Sequence, residues 1–124
     1  MAKISICIDV SEIDKAIQFY TKVFSCELVK KNKKYSELNL DGLTIYLGLN
    51  EAGTNPLIDG KAVRSYERHW TPVHLDIAVE NLSQSVTQVK KLGGLIEGQK
   101  SGDWGSIAFC SDPFGNGFCM MHYK

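Results

Sequence analysis

Two segments of the chain alternate between apolar residues and polar or smaller ones, as β-strands with one buried face do. The apolar positions are Ile4, Ile6, Ile8 and Val10 in residues 3–10, and Val73, Leu75, Ile77 and Val79 in residues 72–79. Patterns with helical spacing follow in residues 11–24 and 82–92. Ser11 or Asp14 is expected to cap the first helix, and Gly93-Gly94 predicts the end of the second.

Three further strands are predicted after each helix. Their ranges are 26–31, 35–40 and 43–49 in the first half, and 94–100, 104–111 and 117–123 in the second half. Asp41-Gly42 and the stretch Asp-Pro-Phe-Gly-Asn-Gly at 112–117 predict tight turns between strands. Each half therefore has the order strand, helix, strand, strand, strand, which indicates two similar modules.

This repeat predicts an α+β fold with two βαβββ modules that form an open, cup-shaped mixed sheet. Residues 1–50 are predicted to form the first module, 51–71 a polar connection and 72–124 the second module. The length of 124 residues fits a single domain, since each half alone would bury only a marginal core. Paired modules enclose a cleft, and clefts bind small molecules. The connection is expected to pack over this cleft, because exposing Tyr66 and Trp70 is costly.

The charge balance limits the classes of partner. Fourteen Lys and Arg residues match fourteen Asp and Glu residues, which argues against a nucleic-acid binder, because such proteins carry an excess of basic residues.

The apolar run at the N-terminus is too short for a signal peptide, and no segment is long enough to cross a membrane, so we expect a cytoplasmic protein. Cys7, Cys26, Cys110 and Cys119 lack paired metal-binding spacing and are expected to be free thiols.

In the first strand of each module, the aliphatic residues are expected to face the helix. The residues that alternate with them are therefore expected to face the cleft. His74 is the predicted catalytic residue, acting as a hydrogen-bond donor, general base or lone metal ligand. The alternative is a structural histidine held by Asp76 or Ser5. Cys119 is interpreted either as a reactive thiol or as a small buried residue.

Residues of the connection and of the last strands complete the predicted site. Arg64 and Arg68 are expected either to grip an anionic ligand or to form surface ion pairs with Glu67 or Asp59. Trp104 is a candidate for stacking on a flat ligand. The full set of predicted ligand-binding residues is Ser5, Cys7, Tyr46, Arg64, Arg68, His74, Asp76, Trp104, Cys119 and Met121.

Three motifs resemble the vicinal oxygen chelate superfamily, the group of glyoxalase I, bleomycin-resistance proteins and extradiol dioxygenases. They are the helix ending Phe19-Tyr20-Thr-Lys-Val-Phe24, the strand Val73–Val79, and the turn Asp112-Pro-Phe-Gly-Asn116. Ser25 stands where this superfamily usually has glycine. The resemblance covers nearly the whole chain outside the connection. It implies paired βαβββ modules around an open cup and a homodimer.

The resemblance also implies four metal-ligand positions, one on the first and one on the last strand of each module. In this chain they are Ser5, Tyr46, His74 and Cys119. Only His74 is a usual ligand for the superfamily, and a divalent metal needs three or four good donors. We therefore expect neither a bound metal nor another cofactor, although a divalent metal is not excluded.

The leading hypothesis is a protein that binds a small, partly apolar or aromatic ligand without the usual metal, as bleomycin-resistance proteins do. The second is a metal-dependent glyoxalase-like lyase, isomerase or dioxygenase that uses other ligands, such as His69 or His122. The third is an interaction module whose cleft is filled by its own side chains.

Overall fold

The computed structural model describes all residues from Met1 to Lys124 and contains the βαβββ order twice. The first module consists of β1 (Ser5–Val10), α1 (Ile13–Val23), β2 (Glu27–Lys31), β3 (Tyr35–Leu40) and β4 (Leu43–Leu49). The second consists of β5 (Leu75–Ala78), α2 (Leu82–Lys91), β6 (Leu95–Gly102), β7 (Gly105–Ser111) and β8 (Gly117–Tyr123). The predicted α+β class with repeated βαβββ modules is confirmed.

Each module forms its own four-stranded mixed sheet. The strand orders are β1-β4-β3-β2 in sheet 1 and β5-β8-β7-β6 in sheet 2. The first and last strands of a module are parallel, while the other pairs are antiparallel. In sheet 1 Cys7 lies beside Tyr46, and at the equivalent position of sheet 2 Asp76 lies beside Cys119. The repeat therefore extends to the register of the strands.

The sheets place their helix-facing sides against one shared hydrophobic core. That core joins residues of both helices to the apolar sides of β3, β4, β7 and β8. Phe118 of β8 packs edge-on against Phe19 and Phe24, with ring centroids 5.9 and 4.9 Å away. Helix α1 thus packs against the second module as well as its own. Neither helix combines the length and the apolar character needed to span a membrane.

Backbone geometry at the helix ends differs partly from expectation. Helix α1 begins after Glu12, whose side chain makes no capping hydrogen bond, so neither Ser11 nor Asp14 is the cap. Helix α2 has a side-chain cap, because Asn81 accepts a hydrogen bond from the amide of Gln84 at 3.0 Å. Ser25, which follows α1, has a φ of +59°. This left-handed conformation is the one that glycine adopts without strain.

The connection packs against the second module through Tyr66. The Tyr66 hydroxyl donates to the carbonyl of Asn50 at 2.6 Å, and its ring lies 6.4 Å from that of Phe114. Trp70, in contrast, is 70% exposed, so the expectation that the connection buries it is wrong. Its indole lies beside the His74 ring, at 5.5 Å between centroids, rather than in the core.

Candidate functional site

A cavity of about 370 Å³ lies between β1, the end of α1 and the residues that lead into β5. We call it the seam cavity. Its wall is largely apolar, with polar groups from His69, His74 and Asn116. Its volume falls within the range of pockets that hold small organic ligands. The residues that line it are Ile6, Cys7, Ile8, Asp9, Tyr20, Phe24, Ser65, His69, Thr71, Val73, His74, Leu75, Phe114, Gly115, Asn116, Gly117 and Phe118.

A second cavity of about 230 Å³ lies between the connection and sheet 2. We call it the sheet-2 cavity. Its walls include the rings of Trp70 and Phe109, the thiol of Cys119, and the ion pair of Arg68 with Glu97. Thr71, His74, Gly117 and Phe118 line both cavities. His74 therefore stands where the two cavities meet.

Three side chains, His74 just before β5, Asp76 in β5 and Cys119 in β8, bring a nitrogen, an oxygen and a sulfur together. One atom each from His74, Asp76 and Cys119 lie within 4.8 Å of one another. The Nδ1 atom of His74 is 3.1 Å from Oδ1 of Asp76. Burial, followed by the negative charge of Asp76, raises the pKa of the Cys119 thiol. The β5–β8 pairing places Asp76 beside Cys119, and the residue that precedes β5, His74, completes the cluster.

Both arginines of the connection are engaged by carboxylates. Arg68 donates from Nε and Nη2 to Glu97, at 2.7 and 2.9 Å, next to the sheet-2 cavity. Arg64 donates from Nε to Asp9 at 3.0 Å and lines neither cavity. A ligand anion would have to compete with Glu97 for Arg68 and with Asp9 for Arg64. The geometry thus favours the ion-pair interpretation, with partners other than the expected Glu67 and Asp59.

The first-module residues that were predicted to converge with His74 do not share its cavities. Ser5 and Tyr46 line neither the seam cavity nor the sheet-2 cavity. The Tyr46 ring instead packs against Tyr35, with 6.0 Å between centroids. Cys7 does line the seam cavity. Burial, followed by the charge of Asp9, raises the pKa of the Cys7 thiol, which disfavours the thiolate form.

Two further predicted residues also lie outside both cavities. Trp104 sits between β6 and β7, is 48% exposed and lies 6.3 Å from the ring of Tyr123. Met121 accepts a hydrogen bond from the Tyr123 hydroxyl through its sulfur.

Aromatic residues of the second module are the part of the site that the sequence analysis missed. Phe118 packs against Phe19 and Phe24 on the helix-facing side of β8, yet it also lines both cavities. Phe114 and Phe109 were not singled out. The density of phenylalanine around the 112–118 turn was the available signal, since aromatic rings dominate the walls of ligand pockets.

The donor set on sheet 2 fits some metal ions better than others. Imidazole and thiolate ligands suit Zn²⁺ and similar borderline ions, whereas Mn²⁺ and Mg²⁺ prefer oxygen. The four positions implied by the resemblance do not converge on a single donor set, because Ser5 and Tyr46 are absent from the His74 cavities. Asp76 supplies the third donor instead. The expectation that no metal binds stays a prediction.

Comparison with known proteins agrees with this architecture. The glyoxalase-like domain family matches residues 5–121. The chain belongs to this family, within the vicinal oxygen chelate superfamily. A probable lactoylglutathione lyase of Vibrio cholerae is 28% identical over 116 residues, which cover 86% of this chain and 79% of that protein. The chain spans only 41% of the length of two plant relatives.

Two solved structures have the same fold. The fosfomycin resistance protein FosX of Listeria monocytogenes, in complex with Mn(II) and sulfate, has a TM-score of 0.74 at 16% identity. The alignment covers 99% of this chain and 90% of FosX. A glyoxalase/bleomycin resistance protein of Albidiferax ferrireducens has a TM-score of 0.67 at 18% identity, with 97% of each chain covered. At these identities the likeness establishes the fold, and the site has to be judged from its own residues.

Proposed function

We propose that this glyoxalase-like protein binds a small, partly apolar organic ligand in the continuous cleft made by the seam and sheet-2 cavities, without the four-ligand metal centre of its superfamily. The observation that carries the proposal is the position of His74 between the two cavities. Phe118 supplies apolar wall on both sides of it. An apolar cleft with a few polar groups is the usual form of a small-molecule site.

His74 has the central role in this proposal. Asp76 accepts a hydrogen bond from Nδ1 of His74, which fixes the ring and leaves Nε2 for a ligand. Trp70, beside the imidazole, can extend the apolar contact over a flat ligand. Because Trp70 is mostly exposed in the free protein, it has room to cover a bound molecule.

A fluorescent aromatic anion, anilinonaphthalene sulfonate, is a suitable first probe because it combines apolar rings with one charge. The protein is titrated in the presence of a chelator, so that metals play no part. We expect saturable binding to the wild type and weaker binding to Phe118→Leu and His74→Ala. His122→Ala is the matched control, since His122 bonds to the carbonyl of Val79 and lines neither cavity. Equal affinity in all four proteins would rule out the proposed cleft.

A lyase is the second candidate, and the cluster of His74, Asp76 and Cys119 is the observation that favours it. The Vibrio cholerae relative carries the name of a lactoylglutathione lyase. The direct assay is formation or cleavage of lactoylglutathione, with and without added divalent metal. Metal-dependent turnover that His74→Ala abolishes would favour this candidate over simple binding. The open seam cavity of about 370 Å³ supports either function over an interaction module with a filled cleft.

We also propose a homodimer. Exposed apolar side chains support it, among them Leu57, Ile58 and Val63 of the connection. Light scattering coupled to size-exclusion chromatography should give twice the mass of the chain. A monomer at micromolar concentration would contradict this part of the proposal.

A reducing compartment such as the cytoplasm is the location that we propose. Its support is that all four cysteines are free, and that two of them, Cys26 and Cys110, are buried in the core. Fractionation of the producing cells with an antibody to the protein tests this.

A further inference from the structure

We infer that the Glu97 carboxylate holds, in the free protein, the position on Arg68 that a carboxylate of the ligand takes on binding. The ligand class is therefore an apolar, aromatic molecule with one carboxylate group. This inference rests on the proposed function and deepens it, because it concerns the same cleft and names the chemistry of its ligand. The sheet-2 cavity is where it applies, since the ion pair of Arg68 with Glu97 is part of its wall.

Arg68 is held by contacts that do not depend on Glu97. Its Nη1 atom donates a hydrogen bond to the carbonyl of His69. Its guanidinium also lies against the backbone of Gly117, where a Cβ atom would be only 2.6 Å from Nη2 of Arg68. Glycine at this position therefore leaves the room that the guanidinium occupies. A guanidinium fixed in this way keeps its rigid fork of donors in one place whether or not Glu97 is bonded to it.

Glu97, in contrast, is held by Arg68 alone. Arg68 supplies every hydrogen bond that the Glu97 carboxylate accepts, at 2.7 and 2.9 Å. Glu97 lies on β6, an edge strand of sheet 2, and its side chain is 33% exposed. A rotation of this side chain therefore brings its carboxylate into water, where the charge is solvated, without any movement of the backbone. The partner that can leave the ion pair is the glutamate, and the partner that stays is the arginine.

The rest of the cavity wall suits an aromatic body with a negative charge. The rings of Trp70, Phe109 and Phe118 line it together with the ion pair. The ammonium group of Lys100 lies 5.7 Å from the centroid of the Phe109 ring, so a second positive charge stands beside this wall. A guanidinium binds a carboxylate through two parallel hydrogen bonds, the geometry that Glu97 now shows. An aromatic carboxylate reproduces those bonds and also buries apolar surface, which Glu97 does not.

Hydrocinnamate and its neutral amide, hydrocinnamamide, are the probes, because they differ only in the group that meets Arg68. Isothermal titration calorimetry measures the Kd of each probe for the wild type and the variants. The wild type should bind the carboxylate more tightly than the amide. Glu97→Gln should bind the carboxylate about fivefold more tightly than the wild type, since a neutral amide competes less well for the guanidinium. Arg68→Met should weaken carboxylate binding at least about tenfold, and neither substitution should change amide binding more than about twofold.

A double substitution separates competition for Arg68 from a general effect of charge. When Glu97→Gln is added to Arg68→Met, carboxylate affinity should change less than about twofold, because no guanidinium remains to compete for. Simple repulsion between Glu97 and the ligand would still be relieved in this background. Glu67→Gln is the matched control for the loss of one carboxylate, since Glu67 belongs to the connection and lines neither cavity. It should bind both probes as the wild type does, and circular dichroism checks the fold of each variant.

Three results would overturn the inference: equal affinity of the wild type for the two probes, no binding of the carboxylate, or weaker carboxylate binding in Glu97→Gln. The proposed cleft is tested separately by anilinonaphthalene sulfonate with Phe118→Leu and His74→Ala. If that probe depends on Phe118 while the carboxylate and the amide bind equally, the cleft stands and the role of Glu97 is refuted.

Discussion

The hydrogen bond between Tyr20 and Asp112 offers a direct test of how the two modules are held together. The Tyr20 hydroxyl, at the end of α1, donates to Oδ2 of Asp112 at 2.6 Å in the buried core. Tyr20 is 2% exposed and Asp112 is also 2% exposed. The substitution Tyr20→Phe removes this one donor and leaves the ring packing unchanged.

The expected cost comes from the charge of the acceptor. A buried hydrogen bond to an ionised group contributes about 1.5–3 kcal/mol, so we expect a loss of about 2 kcal/mol at neutral pH. The loss is not larger because Asp112 keeps the amide of Phe114 and two donors of Asn116. This loss lowers the ratio of folded to unfolded protein by about thirtyfold.

The cost should depend on pH in a defined direction. Burial raises the pKa of Asp112 above its ordinary value, and the Tyr20 hydroxyl opposes that rise. A group whose pKa is higher in the folded state contributes most to stability below its unfolded pKa, and this contribution is lost as the pH rises through the folded pKa. Without the hydroxyl, the folded pKa rises further. The penalty of Tyr20→Phe should therefore be largest near pH 7 and shrink as the pH falls towards about 4, the ordinary aspartate pKa.

Urea denaturation, followed by circular dichroism at several pH values, measures this difference. Tyr35→Phe is the control, since Tyr35 is a half-buried tyrosine whose hydroxyl makes no hydrogen bond within the chain. It should change the free energy of unfolding by less than about 0.5 kcal/mol. If Tyr20→Phe behaves like this control, or if its penalty grows at acidic pH, the hydrogen bond does not have the role assigned to it.

Three further substitutions, with Gly53→Ala as a control for one of them, test the backbone by urea denaturation. Ser25→Gly should stabilise the protein by about 1 kcal/mol, because Ser25 has a φ of +59°; a loss of stability would contradict this. Gly115→Ala should cost more than about 2 kcal/mol, since its Cβ would lie 2.6 Å from the Tyr66 carbonyl oxygen; Gly53→Ala, with a similar φ but open space, should cost about half as much or less. Asn81→Ala should lower the free energy of unfolding by about 1 kcal/mol, because α2 loses its side-chain cap. An unchanged urea midpoint would show that the cap is dispensable.

Much of the fold was predictable because alternation and helical spacing report burial directly. The ends of the helices and strands were less predictable, since they depend on pairing strands and capping side chains that the pattern of one segment does not reveal. The strand predicted at 72–79 contains only Leu75–Ala78, because β8, which begins at Gly117, pairs with no earlier residue of that segment. The N-terminal cap of α1 was missed for a related reason: Glu12 occupies the cap position without any side-chain bond.

The candidate site was predictable within one module and not between modules. Parity placed His74, Asp76 and Cys119 on one side of sheet 2, and the register of β5 and β8 joins them. Whether Ser5 and Tyr46 meet them depends on how the two sheets are oriented, a property of the shared core rather than of any strand. Pattern analysis carries no information on that orientation.

The motifs that identify the superfamily in this chain are those that hold the modules together. Tyr20, from the helix ending, bonds to Asp112 of the turn, and Asn116 of the same turn donates to the carbonyl of Asp9 at 3.2 Å. These residues tie β1, α1 and the β7–β8 turn into one unit, so a chain that loses them loses buried hydrogen bonds between its modules. The ligand positions Ser5 and His74 carry no such constraint, because a polar side chain that is exposed to solvent can change without breaking a buried contact. Motif likeness in this chain is therefore strong evidence for the fold, while its chemistry has to be inferred from the three donors that sheet 2 brings together.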